Sequence, residues 1–226
     1  MIVAEIKPFE EIKNMIKNYQ KVLIVGCGSC VTVCLTGGER QVELLASALR
    51  MARKIEGNDI TVGELTIRRQ CDPEFIEQIK DEAAQYDVIL SMACGAGVQG
   101  IVERFKDIPV LPAMNTMFLG VSDGQGTWVE VCAACGDCIL WKTGGICPVA
   151  RCAKGLVNGP CGGSQGGLCE VSKDVPCAWQ LIYARLVRLN LQHFLKDISQ
   201  QKKQPVRPRR LVREDLRLKK EPTKGV

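Results

Sequence analysis

Lys21-Val22-Leu23-Ile24-Val25-Gly26-Cys27-Gly28-Ser29-Cys30-Val31-Thr32-Val33-Cys34 is the stretch whose reading decides the fold. Its first half is an unbroken apolar run closed by glycine. A run that is apolar at successive rather than alternate positions reads as a strand buried on both faces of a parallel sheet. Its second half is a loop carrying three cysteines.

Downstream of that loop, Glu39 to Ile55 sets Val42, Leu45, Ala46 and Leu49 on one face at helical spacing, and Gly57-Asn58 marks its end. This predicts a helix. Ile60, Val62, Leu65 and Ile67 then alternate around Gly63 as a second strand, and Gln70-Cys71 enters a loop. Asp72-Pro73 has the chemistry of a helix start, continued by Phe75, Ile76 and Ile79 towards Ala84. Asp87 to Met92 reads as a third strand followed by Cys94-Gly95-Ala96-Gly97, Val98 to Phe105 as a short helix, and Pro109 to Met114 as a fourth apolar run. The βαβαβαβ alternation predicts an α/β domain over residues 1–119, built on an open parallel sheet of the Rossmann or flavodoxin-like kind.

From Gly120 to Cys177 apolar periodicity gives way to glycine and cysteine. Residues 120–177 hold too few apolar side chains for a core. They are expected to be a loop-rich module ordered by metal-ligand bonds. Periodicity returns at Trp179, Ile182, Leu186, Leu189 and Phe194, predicting a helix in residues 178–200 that packs the module onto the first domain. Residues 201–226 carry ten Lys/Arg against three Asp/Glu and read as a basic, flexible tail.

That tail holds a local charge of +7, so the chain's net +5 leaves −2 on the first 200 residues. With aromatics at only 5%, a nucleic-acid-binding body is not expected. The longest apolar stretches, Lys21 to Val25 and Tyr86 to Met92, are far too short to span a bilayer, and no export signal is read at the N-terminus. A cytoplasmic, reducing location is therefore expected, where thirteen cysteines would not settle into disulfides. Metal ligation is the leading explanation.

The cysteines fall into two constellations. Cys27, Cys71 and Cys94 each follow a predicted strand, and loops at the carboxyl ends of parallel strands meet at the switch point of the sheet. With Cys30 and Cys34 they make five thiols around one crevice, enough for a four-ligand site with one to spare, the spare unidentified. Cys34 and Cys71 could instead be small apolar fillers of a core. In the second constellation Cys132, Cys135 and Cys138 form a C-x2-C-x2-C run, a spacing that wraps three corners of a [4Fe-4S] cube. Cys147, Cys152, Cys161, Cys169 and Cys177 complete eight, the number for two cubanes or for one cubane and one zinc. Glycines around Cys161, in Gly159-Pro160-Cys161-Gly162-Gly163, would let backbone amides approach sulfur.

Other chemistries find little support. Gly26-Cys27-Gly28 lacks the third glycine of a dinucleotide fingerprint, Val31 standing there instead. The single histidine, His193, sits in the last predicted helix, so neither a catalytic triad nor a Cys-His pair can be assembled around it.

Three stretches carry a resemblance: Cys27 to Cys34, the run CPVARCAKGLVNGPCGG from Cys147 to Gly163, and Cys177-Ala178-Trp179-Gln180-Leu181-Ile182-Tyr183. Together they resemble the methylenetetrahydrofolate reductase C-terminal family. From Lys21 to about Leu195 the chain is similar to the small metal-binding subunit that accompanies the flavin subunit of this reductase in acetogenic bacteria. The resemblance implies an electron-transfer subunit carrying two or three [4Fe-4S] clusters, with zinc as an alternative at one site. FMN would sit on the partner that reduces methylenetetrahydrofolate to methyltetrahydrofolate. Heterodisulfide-reductase-like subunits are further implied partners. The chain is too short to add the barrel that would hold flavin and folate, so a non-catalytic role is expected. The rival readings are a structural zinc protein that docks or assembles without redox chemistry, and a corrinoid or methyl-transfer accessory protein.

Overall fold

A computed structural model describes residues 1–197, 199, 209–211 and 215. The basic tail expected over 201–226 therefore lies almost wholly outside the described residues. The chain divides into two compact units, residues 1–133 and 134–226.

The first unit contains the predicted parallel sheet. Strands β2 (Lys21–Cys27), β3 (Thr61–Ile67), β4 (Val88–Met92) and β5 (Val110–Pro112) lie in the order β3-β2-β4-β5. β2 pairs in parallel with β3 on one side and with β4 on the other, and β4 with β5. The order is that of a flavodoxin-like doubly wound sheet, with its switch point between β2 and β4.

The apolar runs of β2 and β4 are buried on both faces, which is why they do not alternate with polar residues. Val22 and Ile24, with Val88, Leu90 and Met92, pack in one cluster with Ile12 and Ile16 and with Val42, Ala46 and Leu49. Leu23, Val25 and Ile89 pack in the other with Ile76, Ile79, Ala83 and Ile101. Helices α1 (Phe9–Met15) and α3 (Glu39–Ile55) supply the first cluster, and α6 (Gly95–Arg104) supplies Ile101 to the second. Between β2 and α3 lies one short turn of helix, α2 (Cys30–Val33). The helix expected from Asp72 towards Ala84 is broken into α4 (Pro73–Ile76), a 3-10 turn and α5 (Lys80–Ala83). Its start is as expected: the Asp72 side chain accepts from the Glu74 N–H at 3.3 Å, with Pro73 in the first turn.

The expected domain boundary near Leu119 falls inside a strand. β1 (Ile2–Ile6), β6 (Met114–Ser122) and β7 (Trp128–Cys132) form a separate antiparallel sheet in the order β1-β6-β7. β6 pairs with the chain's first strand more than a hundred residues away, a partnership that no local pattern encodes. Gly124 and Gly126 take positive φ in the β6–β7 turn.

The second unit has a small core of its own, whose buried side chains come mainly from the helix after residue 177 rather than from residues 120–177. Helix α7 (Pro148–Arg151) is a single turn, whereas α8 (Ala178–Arg188) buries Trp179, Ile182 and Leu186. These pack with Cys177 and with the half-buried Ile146, Cys152, Leu156, Leu191 and Phe194. α8 ends at Arg188 rather than running on to 198, because Asn190 turns left-handed at φ +56. A short 3-10 helix, Gln192–Lys196, follows and holds His193 beside Phe194. Among the described residues no helix is long and apolar enough to cross a membrane.

If α8 supplies this core, Leu186→Ala should destabilise the second unit of metal-free protein by about 2–5 kcal/mol, as expected for a fully buried leucine. Urea unfolding followed by near-ultraviolet circular dichroism measures it.

Candidate metal centres

Three elements deliver the first constellation. Cys27 is the last residue of β2, Cys71 follows β3, and Cys94 is the N-cap residue of α6 just after β4. The loop after β2 is laced to the end of β3: the Gly28 N–H donates to the Ile67 carbonyl and the Ser29 hydroxyl to the Arg68 carbonyl, both at 2.9 Å. The Thr32 hydroxyl closes the loop on the Cys27 carbonyl at 2.7 Å.

The thiols are near enough to sense one another. Burial pushes the Cys71 thiol up, the neighbouring Cys27 and Cys94 sulfurs push it further, and Arg69 opposes them. All three thus lie at the same edge of the sheet, as the topology predicts. Cys30 opens α2 and Cys34 follows it. Cys34 is only 3% exposed and its Sγ lies 3.5 Å from the Ile2 carbonyl, in hydrogen-bonding geometry. Burial raises its thiol as well, with Cys30 adding to the effect and a backbone hydrogen bond from Ala4 opposing it. Of the two cysteines that could be core fillers, Cys34 has that character, whereas Cys71 is exposed.

In the second constellation Cys132 ends β7, and the run continues through left-handed backbone at Ala134 (φ +50) and Gly136 (φ +87). Cys135 Sγ lies 3.5 Å from the Asp137 carbonyl. Arg209 donates to the Ala134 carbonyl at 2.7 Å, which places one residue of the basic tail on this loop. Cys147 and Cys152 bracket the single turn of α7. Cys161 lies between Gly159 (φ +113) and Gly162 (φ +83), so this motif does use the conformations open to glycine. Cys169 and Cys177 are held by backbone bonds, from the Cys169 N–H to the Val175 carbonyl and from the Cys177 N–H to the Gly167 carbonyl, both 2.8 Å. The Trp179 indole N–H donates to the Leu156 carbonyl, also at 2.8 Å, tying α8 to the motif.

Among the described residues no three His, Cys, Asp or Glu side chains are gathered closely enough to close on one metal ion. The donor chemistry nonetheless suits a soft metal. Thiols of the first crevice come from three separate strand ends, and sulfur donors favour soft metals. A cleft of about 680 Å³ also lies in the second unit, between the Val157–Ser164 loop and the Trp179–Tyr183 face of α8, and no cysteine lines it.

Residues 111–205 match the methylene-tetrahydrofolate reductase C-terminal family. The matched stretch contains all eight cysteines of the second constellation and ends beyond α8. No curated protein matches the chain. Among solved structures, an extracellular ligand-binding receptor from Verminephrobacter eiseniae ef01-2 is 14% identical at a TM-score of 0.33. A protein assigned as a branched-chain amino acid ABC transporter from Rhodospirillum rubrum is 16% identical at 0.30. Each likeness covers 46% of this chain, and this chain spans 28% of each of those chains. Scores this low bear on neither fold nor function.

Some residues near the strand-end thiols escape a reading of the sequence. Gly95-Ala96-Gly97-Val98-Gln99-Gly100 spells a G-x-G-x-x-G directly after β4, but packing accounts for these glycines. A Cβ on Gly97 would meet the Gln70 Cβ at 2.9 Å, one on Gly100 would meet the Gln70 carbonyl oxygen at 2.6 Å, and the Gly95 N–H is taken by Thr116. Gln70 and Ser91 were not singled out either. The available signals were a lone serine in an otherwise apolar buried strand and a glutamine directly before Cys71.

Native, metal-free protein treated with iodoacetamide should label Cys71 roughly tenfold or more faster than Cys34, because exposure governs access to the thiol. Peptide mass spectrometry over a time course gives both rates.

Proposed function

We propose that this chain is the electron-carrying subunit of a methylenetetrahydrofolate reductase complex, passing electrons through iron-sulfur clusters to a partner flavin subunit. The observation that carries the reading is the family match over residues 111–205, which encloses the whole eight-cysteine stretch. The convergence of Cys27, Cys71 and Cys94 supports a further centre at the strand ends. A [4Fe-4S] cluster, where bound, would supply one-electron chemistry with no acid-base group required of the chain.

The chain's own residues would hold and tune such centres. Cys27, Cys71 and Cys94, with Cys30 from the loop that follows Cys27, would be the first ligand set, leaving the buried Cys34 as the spare. Cys132, Cys135, Cys138, Cys147, Cys152, Cys161, Cys169 and Cys177 would supply two more sites, one of which could take zinc. The positive-φ glycines on either side of Cys161 would let amides approach a ligated sulfur, and hydrogen bonds of that kind tune the potential of a cluster. The flavin, the folate site and any further redox subunits belong in this reading to partner chains.

Protein purified without oxygen, from cells supplied with iron, should be brown and hold iron in excess of zinc. Metal analysis by mass spectrometry decides it, and a colourless protein containing zinc alone would overturn the electron-transfer reading in favour of a structural role.

A further inference from the structure

Gln70 has no solvent exposure, and both ends of its amide are used. Its Nε2 donates to the Val25 carbonyl of β2 at 2.7 Å. Its Oε1 accepts from the hydroxyl of Ser91 in β4, itself fully buried, at 2.6 Å. A primary amide donates from its nitrogen and accepts at its oxygen, so it can bridge two partners, and in a site without water each bond is costly to lose. Backbone packing adds to the clamp. Gly97 and Gly100 of α6 lie against Gln70, with a Cβ on Gly100 falling 3.6 Å from the Cys71 Cα.

Every partner in this arrangement stands close in sequence to a thiol of the first crevice. Val25 precedes Cys27 by two residues, Gln70 precedes Cys71 by one, and Ser91 precedes Cys94 by three. The glycines that rest on Gln70 belong to the helix that Cys94 begins. The main chains of β2 and β4 are already registered by their ladder, but the loop after β3 is joined to β4 by no ladder at all. Gln70 is the side chain that reaches across.

We infer that Gln70 is a positioning residue for the crevice, its amide setting the spacing of Cys71 from Cys27 and Cys94 through Val25 and Ser91. The inference rests on the proposed reading of these thiols as ligands, yet the spacing itself can be measured without a metal. Removing the amide should leave the sheet standing and let Cys71 drift from the other two thiols.

The test uses the full chain, prepared metal-free under anaerobic conditions. Dibromobimane becomes fluorescent when it bridges two thiols, and mass spectrometry identifies the bridged peptides. The wild type should give bridges between Cys71 and Cys27 or Cys94. Replacing both hydrogen-bonding side chains with apolar ones, in Gln70→Leu with Ser91→Ala, should lower the urea midpoint, since the Val25 carbonyl loses its side-chain donor, while leaving one cooperative unfolding transition. Bridging should nevertheless fall roughly tenfold, and Co²⁺ affinity at the crevice should fall roughly 10- to 100-fold, as when outer-shell partners of a metal site are removed. Unchanged bridging and Co²⁺ affinity in a folded double variant would overturn the inference, as would a wild type that forms no bridge among these thiols. Should the double variant not fold, Ser91→Ala alone must lower bridging, and its failure to do so would equally overturn the inference. Bridging that depends on Gln70 in a protein that binds no Co²⁺ at the crevice would support the positioning role while removing the metal reading.

Discussion

Parallel pairing of β2 with a strand on each side is the constraint on which the first unit depends. In a parallel sheet all strands finish on the same edge, so the residues that follow β2, β3 and β4 must share one rim. Cys27, Cys71 and Cys94 lie far apart in sequence and share that rim because the strands on either side of β2 run the same way. The side chains that enforce this pairing are unremarkable. Leu23, Ile24, Val25, Ile89 and Leu90 are fully buried in two clusters, and together they fix the direction and register of the sheet.

The second unit obeys different physics. Its core is a small cluster around Trp179, Ile182 and Leu186, while left-handed turns at Gly159 and Gly162 carry the chain past Cys161. A cluster of this size leaves much of the cysteine stretch ordered by backbone bonds and turns alone, so bound metal would add the greatest stability there. The family match falls on this stretch, whereas the strand-end thiols Cys27, Cys71 and Cys94 lie outside it. The two kinds of evidence for metal chemistry therefore come from different parts of the chain.

The parallel sheet was legible because its strands are short apolar runs bounded by glycine or charge, and α3 was legible because Val42, Leu45 and Leu49 repeat at helical spacing. β1, β6 and β7 were missed because their partners are distant and their half-exposed faces give no clean alternation. The helix after Asp72 was read as continuous because its apolar spacing carries on through the 3-10 turn at Glu77–Ile79. Of the candidate site, the placement of three cysteines on one rim of the sheet could be derived from topology. Gln70 and Ser91 could not be paired in advance, since a side-chain bond from a loop to a strand leaves no periodic trace.

Iron bound per chain, compared between the wild type and a variant in which Cys27, Cys71 and Cys94 are all serine, tests most directly whether the strand-end thiols hold a centre of their own. The account predicts that the variant, reconstituted without oxygen alongside the wild type, loses about four irons, the content of one [4Fe-4S] cluster, and keeps the iron held by residues 132–177. Equal iron in the two proteins would contradict it.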